Sequence, residues 1–316
     1  MNKKLISFVV PVLNEENNIF PLYESLKKVT TSLEHRYDFE IIFTDNFSQD
    51  GSFEKIREIA QLDKSIRAYR FVKNFGNQKS ILAGYIKTKG EAIIQIDCDL
   101  QDPPELVPQF LEEWEKGNKV VYGRSISRKE SFLKTKTRDL FYSIINFLSP
   151  NHLPHSTGEF RLIDKIVVEQ LKLLRDENIY LRGTIASFGF RQKGIEYHRR
   201  ERKQGKSKFP LRTMISFAVN SIISQSIMPL RIATFSGIII ATITLLSIIY
   251  FFITRIFAEA NWPAGFTTTT ILILFAISFN ALLMGVIGEY LGRIYLQVRY
   301  NQQHVIISDS INDKDA

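Results

Sequence analysis

Residues 91–104 read Glu-Ala-Ile-Ile-Gln-Ile-Asp-Cys-Asp-Leu-Gln-Asp-Pro-Pro, a short apolar run that turns abruptly acidic and then meets two prolines. An apolar, β-branched run of this length is a buried strand, and Pro103-Pro104 opens the helix that follows, through about residue 116. Working towards the N-terminus, the same unit recurs. Strand-like runs stand at 5–12, 39–44 and 66–72, and helix-like patterns at 16–33, 51–62 and 77–88; a further strand stands at 119–122. Strands alternating with helices predict an α/β fold with a mostly parallel sheet covered by helices on both faces. Ligands of such sheets sit beyond the carboxyl ends of the strands. That singles out the polar residues just after strands: Asn14, Glu15, Asp45, Asp97, Asp99 and Arg124.

Working towards the C-terminus, the composition changes. Residues 233–254 and 260–288 contain no charged residue, and each run exceeds the roughly 20 residues that span a hydrocarbon core. Residues 211–230 lack acidic side chains and have a loose helical spacing, read as an interfacial helix on the membrane, with a buried soluble helix as the other reading. The expected organisation is a domain over 1–210, an interfacial helix over 211–230, a two-helix transmembrane unit over 231–300 and a tail over 301–316. The last dozen residues are polar and are expected to be disordered. The connector 255–265 carries one Arg and one Glu, whereas Arg212, Arg231, Arg293 and Arg299 flank the other side. The positive side is cytoplasmic, so both termini and the first domain are expected in the cytoplasm. The start of the chain lacks the pattern of a signal peptide.

Net charge is +8, and residues 196–212 hold seven Lys/Arg against two Glu. Anionic lipid head groups or a phosphorylated substrate suit a basic segment next to membrane spans; a merely solvated stretch is the plainer reading. Nucleic acid is not expected, since interleaved aromatics and a recognition motif are missing. Cys98 is the only cysteine, which excludes an intrachain disulfide. No glycine-rich dinucleotide or P-loop motif occurs, and the five histidines have no metal spacing.

The chemistry therefore centres on Asp97 and Asp99. Two carboxylates at a strand end can converge on a hard divalent cation, with Gln101 adding a neutral oxygen and phosphates completing the shell. A polar turn with Asp102 capping the next helix is the alternative, and both can hold together. Asp45 can accept from a base or ribose, or cap the helix after it.

Taken in order, VVPVLNEE (9–16), FTDNFSQDGS (43–52), KNFGNQKSILAGY (73–85), QIDCDLQDPPE (95–105), STGEFRLID (156–164), RRERKQGKSKF (199–209), PLR (229–231) and GEYLGRIY (288–295) cover nearly the whole chain. This combination resembles the family 2 inverting glycosyltransferases of GT-A fold, and more narrowly the bacterial polyprenyl-phosphate glycosyltransferases, relatives of dolichol-phosphate mannose synthase. The resemblance implies a hexosyltransferase that moves sugar from a UDP-sugar donor to undecaprenyl phosphate in a bacterial cell membrane. By it, Pro11, Leu13, Glu15, Asp45, Asp97, Cys98, Asp99 and Arg124 belong to nucleotide-sugar binding. Asp99 and Gln101 would hold Mg²⁺ or Mn²⁺. Arg124, Arg202 and Lys208 would face phosphates, and Glu159 stands for the acidic residue of a G-D-F-R-L segment, as a base or as a positioning group. A homotetramer formed through the membrane region is also implied. Four positions depart from the pattern: Asn46-Phe47 replaces Asp-Gly, Glu159 replaces Asp, Ser187 replaces Trp, and an Arg-Pro after the final helix is missing at Arg299-Tyr300-Asn301. They leave room for a catalytically silent membrane scaffold. A processive polysaccharide synthase would need more spans and a Q-x-x-R-W-type motif.

Overall fold

The computed structural model of the chain describes residues 3–125, 157–174, 180–200, 230, 235–240, 242–243, 246, 265–299 and 305–313. The first strand, β1 (Lys4–Val12), runs up the middle of the sheet. It is followed by α1 (Ile19–Leu33), β2 (Tyr37–Asp45), α2 (Ser52–Leu62), β3 (Ile66–Phe71), α3 (Asn77–Lys87) and β4 (Ala92–Gln95). Then come α4 (Val107–Glu115), β5 (Val120–Ser125), β6 (Thr157–Asp164), α5 (Lys165–Leu173), α6 (Leu181–Ser187) and β7 (Gln192–Tyr197). The described elements end with α7 (Phe266–Arg299) and β8 (Ile307–Ile311).

The eight described strands form one sheet in the order β7-β5-β6-β4-β1-β2-β3-β8. The run β4-β1-β2-β3 is parallel throughout, as expected from the alternation. β6 is antiparallel to both of its neighbours, and β8 is antiparallel to β3. Alternate residues of β1 feed opposite faces. Ile6, Phe8, Val10 and Val12 join the larger core, with Leu22, Leu26, Phe53 and Phe110 from the helices on that side. Val9 joins the other core, with Ile81, Tyr85, Val167, Leu171 and Leu181. α1 packs through Ile19, Leu22, Leu26, Val29 and Leu33, a single helical stripe. Pro11 lies inside β1, opposite Thr44 of β2. The other neighbour, β4, pairs only as far as Val9, so the missing N–H of Pro11 leaves no gap in a ladder.

Helix α3 sits close against β1 because residue 84 is glycine. A Cβ there would stand 2.4 Å from Val9 Cγ1 and 3.3 Å from Thr44 Cγ2. Gly84→Ala is therefore expected to destabilise by about 1–3 kcal/mol, the cost of overpacking a filled core. Thermal unfolding of the full chain in detergent checks this, and an unchanged midpoint would refute it.

Two expectations from the sequence do not hold in the fold. The tail is not disordered over its whole length: residues 307–311 form β8, with Ala68 opposite Ile311 and Phe71 opposite Ile307. The edge of β3 presents unpaired backbone groups that a returning segment can satisfy. Asn312 then donates to Ala60 O at 3.0 Å and Ile66 O at 2.9 Å, and Arg57 pairs with Asp309 at 2.8 Å. Polarity alone hid the apolar side chains Val305 and Ile307, which pack on Tyr69 and Phe71. Asp102, in turn, does not cap the next helix. The short 3-10 turn Pro104–Leu106 starts after Pro103 and has no side-chain cap.

Among the described residues no helix is long and apolar enough to cross a membrane, so the two expected spans find no support there. The backbone of α7 is continuous over 34 residues, about 51 Å at 1.5 Å per residue. All but the last residue of the expected interfacial helix over 211–230, and most of the expected first span, lie outside the described residues.

Candidate active site at the carboxyl edge of the sheet

The loops that leave β1, β2 and β3 meet at one edge and are laced together. The backbone N–H of Asn14 donates to Ser48 Oγ (2.9 Å), that of Glu15 to Ser52 Oγ (2.9 Å), and that of Gln49 to Asn14 Oδ1 (2.7 Å). Asn46 donates to Asn74 Oδ1 at 2.9 Å and accepts from the Phe75 N–H at 2.8 Å. Asn46, one of the departures noted above, thus ties the β2 loop to the β3 loop. Asn14, Phe47 and Leu100 all have positive φ, of 54°, 69° and 60°. Asn tolerates this region, whereas for Phe and Leu it costs about 1–2 kcal/mol each. Phe47 takes it at the position where the family pattern has glycine.

Asp45 closes β2 and is fully buried. Its Oδ1 accepts the Ser48 N–H at 3.1 Å, and Arg70 Nε stands 3.4 Å from Oδ2. Oδ2 has no hydrogen-bond partner among the described residues. Burial raises its pKa; Ser48 and Arg70 oppose the shift. Pro11 is buried beside it, with Leu13 and Glu15 half-buried in the loop above.

β4 delivers the acidic loop. Asp97 is half-buried and accepts from Gln95 Nε2 at 3.1 Å. Its carboxyl is pushed up to about 8, by burial first and then by the neighbouring Asp102, Asp99 and Glu159 carboxylates; Arg199 opposes. Asp99 Oδ1 accepts the Gln101 N–H at 3.1 Å. The Cys98 side chain belongs to the larger core, so any donor contact it makes comes from its backbone. Among the described residues no three His, Cys, Asp or Glu side chains gather into a metal cage.

The acidic loop is stapled to the segment after β7. Asp102 accepts from the Tyr197 hydroxyl and pairs with Arg199 Nε at 3.3 Å. The Arg200 N–H donates to Gln101 O at 3.0 Å, and its guanidinium pairs with Glu105 at 3.0 Å. Arg202 and Lys208 lie outside the described residues, two and eight positions beyond Arg200. Arg124, next to last in β5, pairs with Glu196 at 3.5 Å, with both side chains more than half exposed.

Glu159, on β6, sits beside Asp97. It accepts from Arg182 at 2.7 Å, Arg161 at 3.3 Å and Gln78 at 3.4 Å. Burial by itself would raise its pKa, but Arg182 and Arg161 hold the carboxyl down at about 2. Gln78, Arg182, Tyr197 and Arg199 were not singled out from the sequence. They sit on helices or in a basic run, where spacing marks nothing.

The profile described as Glycosyl transferase family 2 matches residues 7–172, more than half of the chain and the whole of the edge just described up to Glu159. This chain belongs to glycosyl transferase family 2. Similar family members match over almost their full length. The uncharacterised glycosyltransferase YkcC of Bacillus subtilis is 36% identical over 95% of this chain and 92% of its own. The bactoprenol glucosyl transferase of Shigella phage SfX is 34% identical over 96% and 99%. Among solved structures, glucosyl-3-phosphoglycerate synthase from Mycobacterium tuberculosis aligns with a TM-score of 0.48 at 16% identity, over 71% of this chain and 80% of that one.

Proposed function

We propose that this family 2 enzyme transfers a hexose from a UDP-sugar to a polyprenyl phosphate, at the cytoplasmic face of a bacterial cell membrane. The observation that carries the reading is the end-to-end similarity to a protein named bactoprenol glucosyl transferase, at 34% identity. The edge geometry supports it. Asp45 offers a buried carboxylate oxygen that has no hydrogen-bond partner among the described residues and stands 3.4 Å from Arg70 Nε, suited to a base or ribose donor group. Asp97 and Asp99 crowd negative charge where a diphosphate would lie, a situation that calls for a cation between them. Mg²⁺ uses only one or two carboxylates and shares substrate phosphates, so Asp99 and Gln101 suffice as protein ligands for Mg²⁺ or Mn²⁺. When bound, such an ion neutralises charge growing on the leaving UDP.

The chain's own residues do the rest. The laced loops fix the nucleotide end. Arg202 and Lys208, two and eight positions beyond Arg200 in the sequence, supply phosphate-facing charge. An ionised phosphate acceptor is already a nucleophile and needs placement beside the anomeric carbon more than deprotonation. The membrane part of the proposal rests on the apolar runs 233–254 and 260–288. Two spans, an interfacial helix and contacts with anionic lipids keep the enzyme at the depth of its acceptor's head group, with tetramer formation through the same region.

The test offers labelled UDP-Glc, UDP-Gal, UDP-GlcNAc and UDP-GalNAc to membranes bearing the full chain, with undecaprenyl phosphate and Mg²⁺ or Mn²⁺. Label should enter the lipid extract with one donor at least, and chelation should stop it. A folded chain that binds UDP yet labels no lipid with any donor overturns the proposal.

A further inference from the structure

The chain passes between its catalytic sheet and its apolar runs twice, and the two connections differ in length. After β7, Arg200 stands 11 positions before the expected interfacial helix at 211 and 33 before the apolar run that opens at 233. On the return, the second apolar run continues into α7, which ends at Arg299. Val305, six positions later, already packs on the sheet against the cluster of Tyr69 and Phe71. Six residues of chain reach at most about 22 Å. The return connection is therefore the tighter of the two.

The direction of β8 says where that connection lands. β8 is antiparallel to β3, with Ile307 opposite Phe71 and Ile311 opposite Ala68. It therefore starts at the carboxyl edge of the sheet and runs away from it. Asp309 faces Arg70, and Ser308 Oγ donates to Arg70 O at 3.2 Å. Arg70 is the residue whose Nε stands 3.4 Å from Asp45 Oδ2. The chain arriving from α7 thus joins the sheet beside the nucleotide end of the site. The far end of β8 is anchored in a polar cluster at the opposite edge. The Tyr69 hydroxyl donates to Asp313 and accepts from Arg67 at 3.1 Å. Lys87 stands 3.7 Å from the same Asp313 carboxylate, whose side chain is 6% exposed.

We propose that β8 and the short connection before it form a tether, which keeps the nucleotide edge of the site near the lipid head groups and so favours acceptor phosphates carried in a membrane over the same group in solution. The proposal rests on the reading of the enzyme given above. A tether acts through effective concentration, which falls roughly as the −3/2 power of its length. A strand that merely covers the open edge of β3 needs its contacts and nothing more. A tether needs its contacts and its length, and the two roles separate when length alone is changed.

The experiment lengthens the connection in the full chain and leaves every residue of β8 in place. About 18 Gly/Ser residues inserted between Gln302 and Gln303 make it about four times longer. Transfer is measured in vesicles of phosphatidylglycerol and undecaprenyl phosphate, and separately to a short-chain isoprenyl phosphate in detergent solution. KM for the lipid in vesicles should rise about eightfold, the −3/2 power of a fourfold lengthening. KM for the soluble acceptor, UDP affinity and the unfolding midpoint should stay at their wild-type values. An insertion of about six residues should raise the vesicle KM about threefold, and it decides the matter if the longer insertion lowers the midpoint. An unchanged KM in vesicles overturns the proposal and leaves β8 as an edge cover. An equal loss towards the soluble acceptor overturns it as well. Failure of the wild type to label any lipid refutes the functional reading instead, so the two failures are distinct.

Discussion

Asp99→Ala should lower sugar transfer about a thousandfold, equivalent to about 4 kcal/mol of lost transition-state stabilisation, which is the scale of a metal's electrostatic contribution. The fold should hardly notice. Asp99 is half-buried, and its described hydrogen bond is to the Gln101 N–H of its own turn, so a stability change within about 0.5 kcal/mol is expected. Asp99→Asn should lose nearly as much activity, because it keeps the shape and removes the charge. Transfer assays at saturating Mn²⁺, paired with thermal unfolding, check both halves. Wild-type turnover in either variant would remove Asp99 from the metal site and reopen the scaffold reading.

The largest effect on stability is expected away from that loop. Glu40 and Arg67 form an ion pair at 2.7 Å, with side chains only 10% and 8% exposed. Glu40 also accepts from Ser7 Oγ at 2.6 Å and the Lys89 N–H at 2.7 Å, while Arg67 donates to Lys87 O at 2.7 Å. Glu40→Ala strands a buried guanidinium and two donors, and should cost about 3–5 kcal/mol. Total stabilities are only about 5–15 kcal/mol, so poor accumulation and a much lower unfolding midpoint are expected. Glu40→Leu with Arg67→Met removes both charges together and should recover much of the loss. If the single variant unfolds within about 1 kcal/mol of wild type, the pair carries no special weight.

The first half of the fold was legible because every strand from β1 to β4 is buried on both faces and ends in a polar loop. The period of the pattern and the place of Asp45, Asp97 and Asp99 follow from that. Legibility stopped at β6. Its residues Thr157–Asp164 alternate Gly, Glu, Phe, Arg and Leu, and it enters the sheet antiparallel between β4 and β5, a placement that local periodicity does not encode. The site divides in the same way. Carboxylates at strand ends could be read directly. Arg182 and Gln78 are helix-borne polar residues, meaningful only once α3 and α6 meet over Glu159. Asn46-Phe47 lies between these cases. It stood out as a departure, but that Asn46 bridges to Asn74, and that Phe47 keeps the backbone shape of the missing glycine, required the structure.

The strand at the far edge has a consequence for how the chain is made. β8 pairs with β3 across more than 230 positions: Ile307 lies opposite Phe71. During synthesis the N-terminal strands can assemble early, yet the edge of β3 stays open until residues 307–311 emerge, after all of α7. An open edge is a template for pairing with another chain, and contacts this distant in sequence form late. The nascent protein therefore passes through a stage in which it is most exposed to aggregation while α7 is already out, and a bulky fusion placed just after Asn312 and Asp313 would prolong that stage.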